Sequence, residues 1–297
     1  MSDDAFLSPK LLERLSQGLL RQQHRPGLYV VATPIGNIFD VTLRAIYILR
    51  SARYIFAEDS RVSRKLLSFY QIKTPLVVCH EYNETDESVT SLLAADGVYA
   101  LVSDAGTPLV SDPGYRLVNW CIRRGIPVFP APGPCSPIAA LSVSGLPTDG
   151  FLFQGFLPPK SRARRSVLEN IRHVTATLVF LEAPHRLAAT LADLQNILGD
   201  RICCLCREIT KVFEESLRGR LSEIMEFLSQ KKALGEYVIL VAGHRENNAD
   251  PEEILFDLSE SLRNNSVKSA VVEMLRRHKV SRNAIYKKAL EIKGKIL

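Results

Sequence analysis

Between Ser103 and Gly114 the chain carries two glycines, two prolines and two aspartates. Proline fixes φ, and glycine reaches backbone shapes that side chains forbid. Such a segment holds amides and carbonyls in a rigid pattern, which suits a small ligand; a rigid loop without a ligand is the plain alternative. Two other segments share this character: Thr33-Pro34-Ile35-Gly36-Asn37 and Ala131-Pro132-Gly133-Pro134-Cys135-Ser136-Pro137. The first is not a Walker A loop, since it lacks Gly-Lys-Ser/Thr, and its single glycine is too few for the dinucleotide fingerprint. Together the three loops point to a nucleotide-like ligand. Groups able to move a proton beside them are Asp59, His80, Glu81 and Asp104. Glu58-Asp59-Ser60-Arg61 also reads as a helix cap with an ion pair, and a lone histidine is often structural.

The elements that must position these loops alternate in type. Leu28–Thr33, Tyr54–Ala57, Leu76–Cys79, Val98–Val102 and Ile126–Phe129 are short, β-branched or aromatic runs that read as strands. Helical spacing lies between them: after Asp40, a candidate N-cap, and over Ser60–Phe69, Thr85–Ala95, Tyr115–Arg123 and Ser136–Val143. Apolar strands alternating with helices imply an α/β fold with a mainly parallel sheet. Ligands of such sheets bind at the strands' carboxyl ends, where the three loops fall. A break near Gly145–Gly150 precedes a second cycle. Its strands are Phe151–Phe156, Thr177–Glu182, Ile202–Arg207, Val212–Arg218 and Glu236–Ala242, with more antiparallel pairing expected. Its helices are Arg164–Ile171, Arg186–Leu198 and Leu221–Gln230. After the polar linker Gly243–Asp250 come only helix patterns: Glu252–Leu262, Val267–Arg277 and Asn283–Glu291. The last two are joined by His278-Lys279-Val280-Ser281 in the manner of a helix-turn-helix.

Charge is concentrated at one end. Residues 264–297 hold nine Lys/Arg against two acids, so of the overall +6 the remainder of the chain contributes −1. A basic tail suggests a polyanionic partner; a solvated helical surface is the alternative. Its cations include Lys268, Arg276, Arg277, Lys279, Arg282, Lys287 and Lys288. A second basic run is Lys160-Ser161-Arg162-Ala163-Arg164-Arg165. The six cysteines lack zinc or redox spacing and read as buried, reduced thiols. No metal site, signal peptide or membrane span is expected, which points to the cytoplasm.

In these residues the chain resembles the tetrapyrrole methylase superfamily, the class III S-adenosylmethionine-dependent enzymes, and within it the ribosomal RNA branch. The likeness runs over about residues 27–297. It rests on Ala32–Asn37, Ala57–Arg61, His80–Glu84, the Ser103–Gly114 loop, Pro132–Cys135, Gly155–Pro158, Arg207–Lys211 and Gly235–Val238. Residues 1–26 have no counterpart there. The resemblance implies two α/β domains, 27–147 and 148–243, with S-adenosylmethionine between them, and a basic helical extension, 250–297. It implies donor contacts at Pro34, Ile35, Gly36, Asp104, Gly106, Thr107, Pro108, Val110, Cys135 and Ser136, with others near Leu181 and Cys206. It further implies 2'-O-methylation of a cytidine in 16S rRNA of the 30S subunit by a homodimer. Asp59, His80 and Asp104 are then the candidate catalytic groups. Glu81, Asn83, Lys160, Arg162, Arg164, Arg165, Arg276, Arg277, Arg282, Lys287 and Lys288 are the candidate RNA contacts. The superfamily's Gly-Asp-Pro is here Gly106-Thr107-Pro108, which speaks against a tetrapyrrole acceptor. A small-molecule methylase and a non-catalytic RNA-binding protein with a relic cleft are the competing readings.

Overall fold

The computed structural model describes residues 8–21, 24–231, 233–244, 251–277 and 281–296. A helix, α1 (Pro9–Leu20), precedes an alternating series: β1 (Gly27–Val31), α2 (Leu43–Ser51), β2 (Tyr54–Ala57), α3 (Ser60–Phe69), β3 (Leu76–Val78), α4 (Glu87–Thr90), β4 (Val98–Val102), α5 (Tyr115–Arg123), β5 (Val128–Ala131) and α6 (Ser136–Ser144). The second cycle is β6 (Phe151–Phe156), α7 (Ser161–Ile171), β7 (Thr177–Glu182), α8 (Leu187–Leu198), β8 (Ile202–Arg207), β9 (Glu215–Arg220), α9 (Leu221–Ser229) and β10 (Tyr237–Val241). Three helices follow: α10 (Pro251–Asn264), α11 (Val267–Arg277) and α12 (Arg282–Ile296).

The first sheet has the order β3-β2-β4-β1-β5 and is parallel throughout. β1 is almost wholly buried because both faces are covered. On one face Ala45, Ile48, Leu49 and Leu67 of α2 and α3 pack against Tyr29, Val31 and Ile55. On the other, Leu117 and Cys121 of α5 meet Leu28, Phe56 and Tyr99. Each fully buried Leu or Ile contributes about 1.5–3 kcal/mol. The strand order reverses between β4 and β1, so the crevice at their carboxyl ends is the natural ligand site.

The second sheet has the order β6-β7-β10-β8-β9. β6 and β7 are parallel, and β10 and β9 run antiparallel to their neighbours. Helices α7, α8 and α9 bury Leu168, Leu191 and Ile224 on one face. On the other, Ala140 and Leu141 of α6 meet Val179, Cys204 and Val238, so α6 joins the two sheets.

The chain divides into two compact units, Met1–Ala242 and Gly243–Leu297. In the second unit Leu258, Ala270, Met274 and Ala289 form a separate core among α10, α11 and α12. No helix among the described residues is long and apolar enough to cross a membrane. Five of the six cysteines are buried and none is in a disulfide.

Several elements differ from the sequence expectation. Asp40 lies in a short 3-10 helix capped by Asn37, and α2 starts after Thr42, whose hydroxyl accepts from the Ala45 amide. The expected helix over Thr85–Ala95 is one turn, because Asp86 supplies no side-chain cap and Gly97 closes a tight turn. β9 begins at Glu215, since residues 208–214 form turns. The expected helix-turn-helix connection at His278–Val280, with Lys279, lies outside the described residues.

Candidate active site

Strand pairing brings the candidate loops together. Thr33 and Gly106 form an antiparallel bridge, with N–H···O distances of 2.8 and 3.0 Å. The Thr107 hydroxyl donates to the Pro134 carbonyl at 3.0 Å. The loops after β1, β4 and β5 are thus tied into one wall. Within the central loop Gly106, Leu109, Ser111 and Gly114 all have positive φ. For Leu109 and Ser111 this costs of order 1–3 kcal/mol each, a strain that clusters at functional sites.

This wall reaches the second sheet. A Cβ on Gly36 would come within 2.8 Å of Ile209 O and closer still to Thr210 and Lys211, and the Asn37 amide donates to Thr210 Oγ1 at 3.0 Å. A Cβ on Gly155 would lie 2.7 Å from Ser111 Oγ. Glu208 and Thr210, in the facing loop, also have positive φ.

Two cavities open along the junction and share Ile35, Ala105 and Glu236. One, of about 220 Å³, runs to the second sheet and is lined by Ser136, Leu181, Ile209 and Val238 as well. Leu181, Val238 and Cys206 lie abreast across β7, β10 and β8; Cys206 is fully buried. The other cavity, of about 280 Å³, is lined by Pro34, Gly36, Ser63, Lys65 and Asp104 among others.

Parallel pairing of Ala57 with Val102 delivers the ends of β2 and β4 side by side, and the Asp59 amide donates to Asp104 Oδ1 at 3.1 Å. Burial, and then the neighbouring Asp104 and Asp112 charges, push Glu58 up. Burial also raises Asp104, with the Asp59 charge adding to it, and raises Asp112. Asp59 goes the other way, to about 2, because its carboxylate accepts from the Arg61 guanidinium and amide. At neutral pH Asp59 is a helix cap in an ion pair and a very weak base.

The His80–Glu84 turn is built locally. Asn83 Oδ1 accepts from the His80 amide at 2.7 Å, and its Nδ2 donates to Val78 O at 3.0 Å. Buried Glu84 accepts the backbone N–H groups of Gly114, Arg116 and Leu117. It caps α5 and anchors the end of the central loop, a role no sequence pattern signalled. His80 and Glu81 line neither cavity. His80 Nδ1 is buried without a partner, and Glu81 is exposed.

Of the remaining donor candidates, Gly106, Thr107, Pro108, Val110 and Cys135 form or flank the wall without lining either cavity, Cys135 at the N-terminus of α6. Of the basic candidates, Lys160, Arg162 and Arg165 are exposed. Arg164 is not: it is buried, and its guanidinium holds Asp193 at 2.6 Å. It is a structural cation that offers no charge to a phosphate. Arg165 pairs with the same carboxylate from the exposed side. Arg276, Arg282, Lys287 and Lys288 are exposed on the separate C-terminal unit, Lys288 paired with Glu291; the Arg277 side chain lies outside the described residues.

A family profile of tetrapyrrole (corrin/porphyrin) methylases matches residues 27–225. The chain belongs to the tetrapyrrole methylase family. Within it, the chain is 43% identical over 277 residues to the ribosomal RNA small subunit methyltransferase I of Vibrio cholerae, covering 91% of this chain and 96% of that one. It is 45% identical to the enzyme of that name from Halalkalibacterium halodurans, covering 82% and 85%. The Escherichia coli O157:H7 enzyme of that name is 41% identical, covering 90% and 96%. Among solved structures, the fold is similar to uroporphyrin-III-C-methyltransferase from Thermus thermophilus, with TM-score 0.52, 22% identity and coverage of 73% and 94%. It is also similar to diphthine synthase, with TM-score 0.55, 14% identity and coverage of 73% and 89%. As a tetrapyrrole methylase of this branch, the chain is a methyltransferase with S-adenosylmethionine as its donor.

The cavity between the sheets fits that donor. Its apolar wall of Ile35, Leu181, Ile209 and Val238 suits a stacked ring, and Ser136 adds a polar group at the start of α6. Gly106, with φ +81°, lets the loop pass Ile35 closely: a Cβ there would sit 3.3 Å from Ile35 Cγ2.

Proposed function

We propose that this tetrapyrrole methylase transfers a methyl group to the 2'-hydroxyl of a cytidine in 16S rRNA of the small ribosomal subunit. The observation that carries the reading is the wall of three tied loops facing the second sheet, in a chain more than 40% identical to relatives named for ribosomal RNA. Ile35, Gly106 and Ser136 hold the donor, supported by Pro34, Gly36, Thr107, Pro108, Val110 and Cys135. When bound, S-adenosylmethionine supplies a methyl carbon on a sulfonium that leaves as a neutral thioether. The protein's task is therefore position, exclusion of water and removal of one proton. The ribose 2'-oxygen bonds to the methyl carbon, and its proton passes to a carboxylate.

Asp104 is the group best suited to accept that proton. It lines the cavity next to the donor and is held toward its neutral form by burial, nearer to working pH than an ordinary carboxylate. Asp59 positions α3. His80, with Glu81 and Asn83 on the same turn, stands apart from both cavities and contacts RNA rather than the reacting atoms. Lys160, Arg162, Arg165 and the exposed cations of the C-terminal unit engage phosphates. A cytidine can present its ribose only when unpaired and splayed from its neighbours. The enzyme acts in the cytoplasm, as a homodimer by likeness to its family.

Titration calorimetry with S-adenosylmethionine tests the donor half. Measurable binding that Gly106→Arg abolishes is expected. A protein that does not bind the donor is a relic cleft, and the reading fails.

A further inference from the structure

The second cavity includes Pro34 and Gly36 of the first loop and shares Ile35, Ala105 and Glu236 with the donor cavity, but it reaches α3 rather than β7 and β10. It is lined along α3 by Val62, Ser63 and Lys65, and Asp104 lines it as well. Ser63 is only 7% exposed, and its buried hydroxyl has no hydrogen-bond partner in the protein. A buried hydroxyl in that state is costly unless something satisfies it. The other cation lining the cavity, Lys211, is committed to Glu208 and Glu236. Lys65 is exposed and has no ion pair among the described residues. Apolar depth comes from Leu49 and Leu67. The cavity has a volume of about 280 Å³, near the lower end of ligand sites and room for a nucleoside.

We propose that this cavity is the acceptor subsite: it takes one unpaired nucleoside of the RNA strand, with the Ser63 hydroxyl as its internal hydrogen-bond partner and Lys65 on the phosphate at its mouth. Asp104 then lies on the side of the nucleoside nearest the donor, where the reacting hydroxyl must be. This assignment rests on the methylation reading above and goes beyond it by naming Ser63, Lys65 and Val62, none of which the sequence singled out.

Methylation of 30S subunits is measured for the wild type, Lys65→Glu, Val62→Trp and Ser63→Ala, with donor affinity followed by calorimetry. Lys65→Glu is expected to raise KM for 30S particles about tenfold and to lower the salt slope of RNA binding by about one. Val62→Trp, a bulky plug at the cavity wall, is expected to lower kcat/KM for 30S with unchanged donor affinity. Ser63→Ala, easily accepted in a helix, is expected to lower kcat/KM about fivefold, in keeping with the loss of one modest hydrogen bond. An active wild type with Lys65→Glu and Val62→Trp equal to it overturns the subsite alone. Weakened donor binding in these variants overturns it too, since the cavity would then belong to the donor. A change of sedimentation coefficient with Val62→Trp marks this face as an interface between copies and likewise overturns it. A wild type inactive on 30S particles overturns the methylation reading and this assignment together.

Discussion

Thr107 Oγ1 lies 3.0 Å from the carbonyl oxygen of Pro134 and donates to it. The family's usual Asp at this position would bring a carboxylate against that carbonyl, two acceptors face to face. The threonine is thus a tie between the β4 and β5 loops. Thr107→Val keeps the shape and removes the donor, leaving a part-buried carbonyl unpaired. A loss of about 1–2 kcal/mol in urea unfolding is expected, with weaker donor binding in calorimetry. A variant with unchanged donor affinity would show that the two loops hold the cleft without this bond.

Glu84 makes three hydrogen bonds to the first turn of α5 and the end of the central loop. Glu84→Ala leaves those amides unpaired and removes a negative charge from a helix N-terminus. Unfolding should become easier by roughly 2–4 kcal/mol, with a lower Tm, whether or not RNA is present. A variant of normal Tm that binds RNA poorly would instead make Glu84 a substrate contact.

The acidic cluster at the sheet edge gives a signed pH dependence. Glu58, Asp104 and Asp112 are all raised by burial. The folded state then binds more protons than the unfolded chain between the ordinary carboxylate pKa and the raised values, so their contribution to stability falls as pH rises through that window. Asp104→Asn should therefore raise Tm at pH 7 relative to pH 4. Activity runs the opposite way: it should rise with pH as Asp104 ionises, and Asp104→Asn should lower kcat about 100-fold or more, within the range for a general base. An Asp104→Asn enzyme with wild-type kcat and pH profile would assign the base elsewhere.

The two neighbouring arginines of α7 should behave differently. Arg164→Ala removes the buried partner of Asp193 and leaves the carboxylate to Arg165 and Ser161, so it is expected to cost about 1.5–3 kcal/mol of stability. Arg162→Ala, on the exposed face, should leave Tm unchanged and weaken RNA binding with a smaller salt slope. Thermal unfolding and filter binding of the two variants separate these roles.

Most of the architecture was legible because apolar strands and amphipathic helices write different periods into the chain. The strands around Thr177–Glu182 and Ile202–Arg207 coincide with the structure to the residue. What was not legible depends on contacts distant in sequence. Thr85–Ala95 has helical composition, yet its amides are used in turns and the preceding Glu84 caps a helix 30 residues on. Arg164 looked like part of a basic patch, because a run of cations does not reveal which member faces Asp193. Asp59 read both as a base and as a cap in an ion pair, and the choice turns on the Arg61 guanidinium held against its carboxylate. The orphaned hydroxyl of Ser63 is defined by the absence of neighbours, which no local pattern records.

Methyl transfer to a ribose can be read directly from the modified RNA. Purified enzyme is incubated with S-adenosylmethionine labelled in the methyl group and with 30S subunits from cells lacking the modification; the RNA is then cleaved in alkali. A 2'-O-methyl blocks cleavage at its own nucleotide, so label is expected in an alkali-resistant dinucleotide beginning with cytidine, and none transferred to a tetrapyrrole. Label in a base, in protein or in the tetrapyrrole alone would contradict it.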